Sequence, residues 1–307
     1  MKRKVIKQGH NTLTITLPAK WAEINNINAG DEVEISELKN SLSIISSTKN
    51  IMKSVEMDIK DVDVNLLKRY LNTLYKMGYD EITLNFNDSK VIEYVQEILQ
   101  KNLIGLEVIN QGKNFCTIKS LSIVLESEFE NTLRRIFLLL LSLSEESLQA
   151  IKTADIQHLK SSVLLEESNN RFTTYCRRIL NKKGYKDQEK LVFIYYVIEE
   201  LEKTADEFKY ISNQVKNQKN ELKKVDKKTL EYFNNVNLFV RSYYEMFYDS
   251  NKTRIKDIHK TKKELFAQGY DLIRSSSSIN TVVLHHLLTI VQGMYDMLPH
   301  HIALTID

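Results

Sequence analysis

The chain has 307 residues, 42% of them hydrophobic, enough for a sizeable core and for two or three domains of roughly 100–200 residues each. No apolar run reaches the ~18 residues of a membrane span, the densest being IFLLLLSLS at 136–144, and the charged N-terminus has neither the apolar stretch nor the cleavage site of a secretory signal. A net charge of +3 does not announce nucleic acid, and two distant cysteines, Cys116 and Cys176, without a CxxC, argue against a disulfide framework or cysteine zinc site and fit a reducing cytoplasm.

In chain order, residues 1–20 hold Lys2, Arg3, Lys4, Lys7 and Lys20 and no acid, while the rest of the chain has two more acids than bases. This excess at one end is either a solvated basic arm or the footprint of a polyanion. Residues 4–8 and 12–17 alternate as two short strands around a turn at Gly9–Asn11. Pro18 opens a helix, AKWAEINN, ended by Ala29–Gly30–Asp31. EVEIS (32–36), a turn at Lys39–Asn40 and SLSIIS (41–46) complete a ββαββ unit. Its apolar residues, among them Val5, Leu13, Ile15, Leu17, Trp21 and Ile35, bury too little for a stable fold alone, so a second copy is the expected partner.

Residues 53–120 read as a small α/β domain. Strands are expected at 55–59 and 81–86, helices at 65–77 and 90–101, and a hairpin around Gly112. With no phosphate loop, GxGxxG or nucleophile elbow in it, the expected role is a structural or dimerising sandwich. From about Glu126 the spacing becomes helical, as in Leu133, Ile136, Phe137, Leu140 and Leu143. Breaks near 153–155, 182–187, 223–226, 248–251 and 275–278 divide 126–307 into six helices, readable as two three-helix units.

Within that helical part, Glu202 and Asp206 lie one turn apart on one face beside Ile198, Leu201, Ala205 and Phe208. Glu166 and Asn170 repeat the spacing on the preceding helix, and Gln292 and Asp296 on the last. Converging carboxylates could hold a hard or borderline cation. Equally, they are the polar margins of amphipathic helices, a reading that Lys203 and Lys209 favour. The histidines form no metal box, and no nucleophile–base set is visible, so an enzyme is not expected.

The string RKVIKQGHNTLTITLPAKWAEINNINAGDEVEI (3–35) resembles the AbrB/SpoVT swapped-hairpin domain, in its basic start, Gly9, the polar His10-Asn11-Thr12, Leu17-Pro18, Trp21-Ala22 and Gly30-Asp31. The resemblance implies an interlocked dimeric β-barrel at 1–47 that binds DNA. It places Arg3, Lys4, Lys7, His10, Asn11 and Thr12 at the DNA, with Thr14, Thr16 and Lys20 close by. The single arginine favours phosphate contacts over bidentate reading of guanine.

The helical part, 126–307, resembles PhoU, a phosphate-uptake regulator built of two three-helix repeats. LEESNNRF (165–172), LEKTADEFKYI (201–211) and QGMYDMLPHHI (292–302) carry the likeness, with Asn170 and Gln292 standing where acids are usual. It implies a divalent or iron ion near Glu166, Asn170, Glu202, Asp206 and Asp296. The domain order is similar to that of an archaeal-type fused regulator. The expectation is therefore a multidomain, mainly α, cytoplasmic homodimer that regulates phosphate uptake by binding DNA. Its further partners would be a phosphate transporter ATPase or a sensor kinase. The alternatives are a signalling adaptor that does not bind DNA specifically, and an antitoxin.

Overall fold

A computed structural model describes residues 1–38, 41–46, 52–60, 62–121, 128–216, 224–276 and 278–306. The chain divides into two compact units, Met1–Lys53 and Ser54–Asp307.

In the first unit, β1 (Ile6–Gln8) pairs antiparallel with β2 (Thr12–Thr14), and β3 (Val33–Leu38) with β4 (Ser41–Ser46). Helix α1 (Ala19–Ile24) lies between the hairpins. It starts where expected, because Pro18 has a backbone suited to the cap and its carbonyl accepts from Trp21 and Ala22. It stops earlier than expected. Asn25 caps it, its side chain donating 2.8 Å to the Trp21 carbonyl, and Asn26 turns left-handed at φ 50°. Within one chain the strands form two separate two-stranded sheets, and the expected barrel is one that two chains would build together. The turn expected at Lys39–Asn40 lies outside the described residues.

The second unit begins with a four-stranded mixed sheet in the order β5-β6-β8-β7: β5 (Ser54–Asp58), β6 (Glu81–Asn85), β7 (Leu106–Gln111) and β8 (Phe115–Ser120). β5 and β6 run parallel, as the crossover through α2 (Val64–Lys76) requires. The other pairs are antiparallel, with an irregularity in β7 between Val108 and Asn110. Asp63 caps α2 by accepting from Asn65 and Leu66 amides, at 2.8 and 3.0 Å.

One sheet face is buried through Ile82, Leu84, Cys116 and Ile118, which share a core with Leu67, Leu71 and Tyr75 of α2 and Val95 and Leu99 of α3 (Lys90–Asn102). The other face is polar, with Thr83 against Thr117 and Glu81 against Lys119. The segment is a two-layer α/β arrangement, in which α2 and α3 cover the apolar face of the sheet.

The remaining described residues form α4 (Phe129–Thr153), α5 (Ile156–Lys183), α6 (Leu191–Lys216), α7 (Lys227–Tyr248), α8 (Lys252–Ser275), α9 (Ser278–Asp296) and α10 (Leu298–Thr305). The expected start near Glu126 lies outside the described residues. Asp155, Asp226 and Asn251 cap α5, α7 and α8 through amides two or three residues on, so three of the expected breaks have a local cause. The expected sixth helix is two: α9 stops at Asp296, and Pro299 sits in the first turn of α10, where its missing N–H costs nothing.

Helices α4, α5 and α6 pack on one another, as do α7, α8 and α9. The two groups join through α6 with α9 and α4 with α7 around one continuous core. No helix among the described residues is long and apolar enough to cross a membrane.

Candidate nucleic-acid interface

The β1–β2 hairpin is the centre of the basic segment. Its turn needs φ +75° at position 9, and nothing lies within 4 Å of where a Cβ would stand, so glycine is there for its backbone alone. Arg3 and Lys4 precede β1, Lys7 lies in it, His10 and Asn11 are in the turn, and Thr12 and Thr14 lie in β2. Thr16 follows β2 and Lys20 is on α1. All are exposed except Thr14, which is half-buried and donates to the Ile6 carbonyl at 3.2 Å.

The register gives each face of the hairpin both apolar and polar residues. Lys7 stands opposite Leu13, and Ile6 opposite Thr14. Residues directly opposite share a sheet face. One face therefore carries a lysine with a leucine, the other an isoleucine with the threonines.

Among the residues of Met1–Lys53 whose burial is described, none is buried. Val5, Ile6, Leu13, Ile15, Ile24, Ile35 and Leu42 are exposed, Leu13 by 70%. A monomer would leave this apolar area in water at roughly 25 cal/mol per Å².

In the second unit the residues expected to hold a cation do not meet at one point. Lys209 Nζ lies 2.6 Å from both Glu166 Oε1 and Asp206 Oδ1, bridging α5 and α6. Asn170 Nδ2 donates to the same Glu166 oxygen at 2.5 Å. Burial pushes the Glu166 carboxyl above its usual range, the Lys209 ammonium opposes this, and Asp206 adds to it.

Glu202 is instead paired with Arg177, whose buried guanidinium also donates to Glu199 at 2.5 Å. Asp296 accepts from Gln292 at 2.5 Å. Among the described residues no group of three or more His, Cys, Asp or Glu could hold a metal ion. The donor set as arranged does not fit a cation, since an ammonium fills the position between the carboxylates. Beside Asp206 is a cleft of about 180 Å³ lined by Glu200, Lys203, Glu207 and Tyr210, in which Lys203 pairs with Glu200 at 3.1 Å.

Sequence reasoning missed the neighbouring Arg178, which is 1% exposed. It donates to the carbonyls of Tyr75 (2.9 Å) and Tyr79 (2.7 Å) and to Asp80 (2.8 Å). Lys182 reaches the same Asp80, and Asn181 the Lys76 carbonyl at 2.7 Å. The consecutive arginines thus turn opposite ways, Arg177 to α6 and Arg178 to the C-terminal end of α2. The visible signal was two adjacent arginines inside the otherwise apolar YCRRIL.

Residues 6–51 match the family model described as antidote-toxin recognition MazE, bacterial antitoxin. No curated protein and no solved structure matches the chain. The N-terminal segment is therefore a MazE/AbrB-like hairpin domain, a class whose members bind DNA and dimerise. The match covers this segment alone.

Proposed function

We propose that the protein is a homodimeric, DNA-binding transcriptional regulator whose helical region is PhoU-like and ties it to phosphate uptake. The carrying observation is a unit with no buried residue among those whose burial is described, whose exposed Leu13, Ile15 and Ile35 accompany a basic segment free of acids. A second copy would cover the apolar residues, and two-fold symmetry favours a pseudo-palindromic DNA site. Arg3, Lys4, Lys7, His10, Asn11, Thr12, Thr14, Thr16 and Lys20 are the residues proposed to meet it. The phosphate part is supported by the three PhoU-like strings and by the packing of the long helices three and three. A transporter ATPase or sensor kinase is the partner it suggests, and no bound metal is required.

The test is salt-dependent binding to DNA fragments that co-purify with the protein. Lys4→Ala with Lys7→Ala should weaken binding and lower the slope of log affinity against log salt by about 2. An unchanged slope would refute the assignment of the arm.

The family match favours a second reading, an antitoxin. In it the helical region would bind a toxin, and a co-expressed protein should co-purify in fixed ratio. The large core of α4–α9 speaks for a folded sensing region instead.

A further inference from the structure

The near-neutral remainder of the chain hides a second basic segment. Residues 252–263 hold Lys252, Arg254, Lys256, Lys260, Lys262 and Lys263 against the single acid Asp257. They form the first half of α8.

Two of the six serve the fold. Arg254 donates to the Glu245 carbonyl at 3.0 Å and lies 3.1 Å from Asp249, and Lys262 sits 4.1 Å from the Phe266 ring centre. The other four do not. Lys252, Lys256 and Lys263 are exposed and have no ion pair or hydrogen bond among the described residues, and Lys260 has only a loose, exposed pair with Glu264 at 3.8 Å.

Their positions, 252, 256, 260 and 263, recur at three- and four-residue steps, so they form one stripe. Ile258, Leu265 and Gly269 are the buried residues of α8, and at 100° per residue the stripe points almost directly away from them. Eleven residues at 1.5 Å give it a length of about 16 Å.

This placement works against the helix. The first turn of α8 has no acid, and Lys252 stands at the positive end of the macrodipole. Local stability would favour acids there, and packing asks for nothing on that face. Four ammoniums spread along a line suit a linear, repeating anion better than a single small one. A nucleic-acid backbone is such an anion.

We infer that Lys252, Lys256, Lys260 and Lys263 form a second surface of this protein for the phosphate backbone of DNA, separate from the N-terminal hairpin. This rests on the DNA-binding reading above.

The experiment uses the full chain and a labelled mixed-sequence duplex spanning several helical turns, titrated between about 50 and 200 mM salt. Lys252→Ala/Lys256→Ala/Lys263→Ala should lower the log–log salt slope by about 3 and the affinity at about 0.1 M salt on the order of a hundred-fold. Helicity should be unchanged, because all three side chains are exposed. Lys160→Ala/Lys227→Ala/Lys228→Ala, which also removes three exposed lysines, should leave the slope nearly intact.

An equal loss in that control, or an unchanged slope in the α8 variant, overturns the inference. If Lys4→Ala/Lys7→Ala then still weakens binding, the DNA-binding reading survives without it. A wild-type chain that ignores the duplex sinks both. An α8 variant that loses a polyglutamate probe but keeps the duplex identifies an acidic protein as the partner and overturns the inference too.

Discussion

Arg178 offers the sharpest test of how the α/β layer is held to the helices. Replacing it with methionine keeps most of the stem volume and removes the guanidinium. Three charge-assisted hydrogen bonds disappear: two to the carbonyls of Tyr75 and Tyr79 and one to Asp80. Each is worth roughly 1.5 kcal/mol or more, and breaking a buried pair from one side costs about 3–5 kcal/mol. Lys182 remains beside Asp80, its side chain 18% exposed, and offsets part of that loss.

The expected destabilisation is about 3–4 kcal/mol, or on the order of 10 °C in Tm for a unit of this size. Close packing amplifies it: Gly78 has φ +84°, and a Cβ there would stand 2.5 Å from Lys182 Cγ, so α5 cannot slide inward to refill the site. The assay is urea unfolding followed by helical circular dichroism. Asp80→Asn in the Arg178→Met background should recover part of the loss, because it removes the stranded carboxylate. A loss under about 1 kcal/mol, or a double variant showing simple additivity, would refute the clamp.

Other expectations follow from the same geometry. Leu13→Asp with Ile15→Asp should turn a dimer into a monomer in sedimentation, since each buried apolar side chain contributes about 1.5–3 kcal/mol; an unchanged mass would show that another surface dimerises. His301 is buried beside Phe247, with Nε2 3.0 Å from Ser250 Oγ, and burial lowers its pKa to about 4. The unfolded chain takes up this proton near pH 6.5 and the folded chain only near 4. Stability from His301 is therefore full above about pH 6.5 and falls by about 3 kcal/mol toward pH 4, and His301→Gln should flatten unfolding free energies measured across that window. Lys209→Met should leave Glu166 and Asp206 facing each other without a counter-charge and cost about 3 kcal/mol near neutral pH. Glu166→Gln should restore part of it in thermal melts, and no restoration would show that the ammonium does not hold this pair.

Much of the architecture was legible because its causes are local. Asp63, Asp155, Asp226 and Asn251 cap helices through amides two or three residues away, and the apolar period of α4 is carried in its own residues. The hairpin turn at Gly9 and the basic start needed only neighbours in the chain. Pro299 was the local signal left unread: it divides what looked like one last helix.

The candidate sites were less legible, because side chains choose partners through packing. Spacing alone put Glu202 and Asp206 on one face, but tertiary structure gave Glu202 to Arg177 of α5 and brought Glu166 of α5 to the Lys209 that Asp206 already meets one turn along its own helix. Arg178 meets Asp80 across 98 residues of chain. The pairing of Lys7 with Leu13 depends on a register that alternation cannot specify, since a one-residue slip would exchange the faces. What the amino-acid order determined by itself is the set of helices and hairpins and the acid-free basic start, because hydrogen bonds and periodicities of a few residues suffice for these. Which charges are neutralised, which acids are separated and which lysines of α8 remain outward-facing were decided only when distant segments packed, because burial and counter-charge are properties of the assembled core.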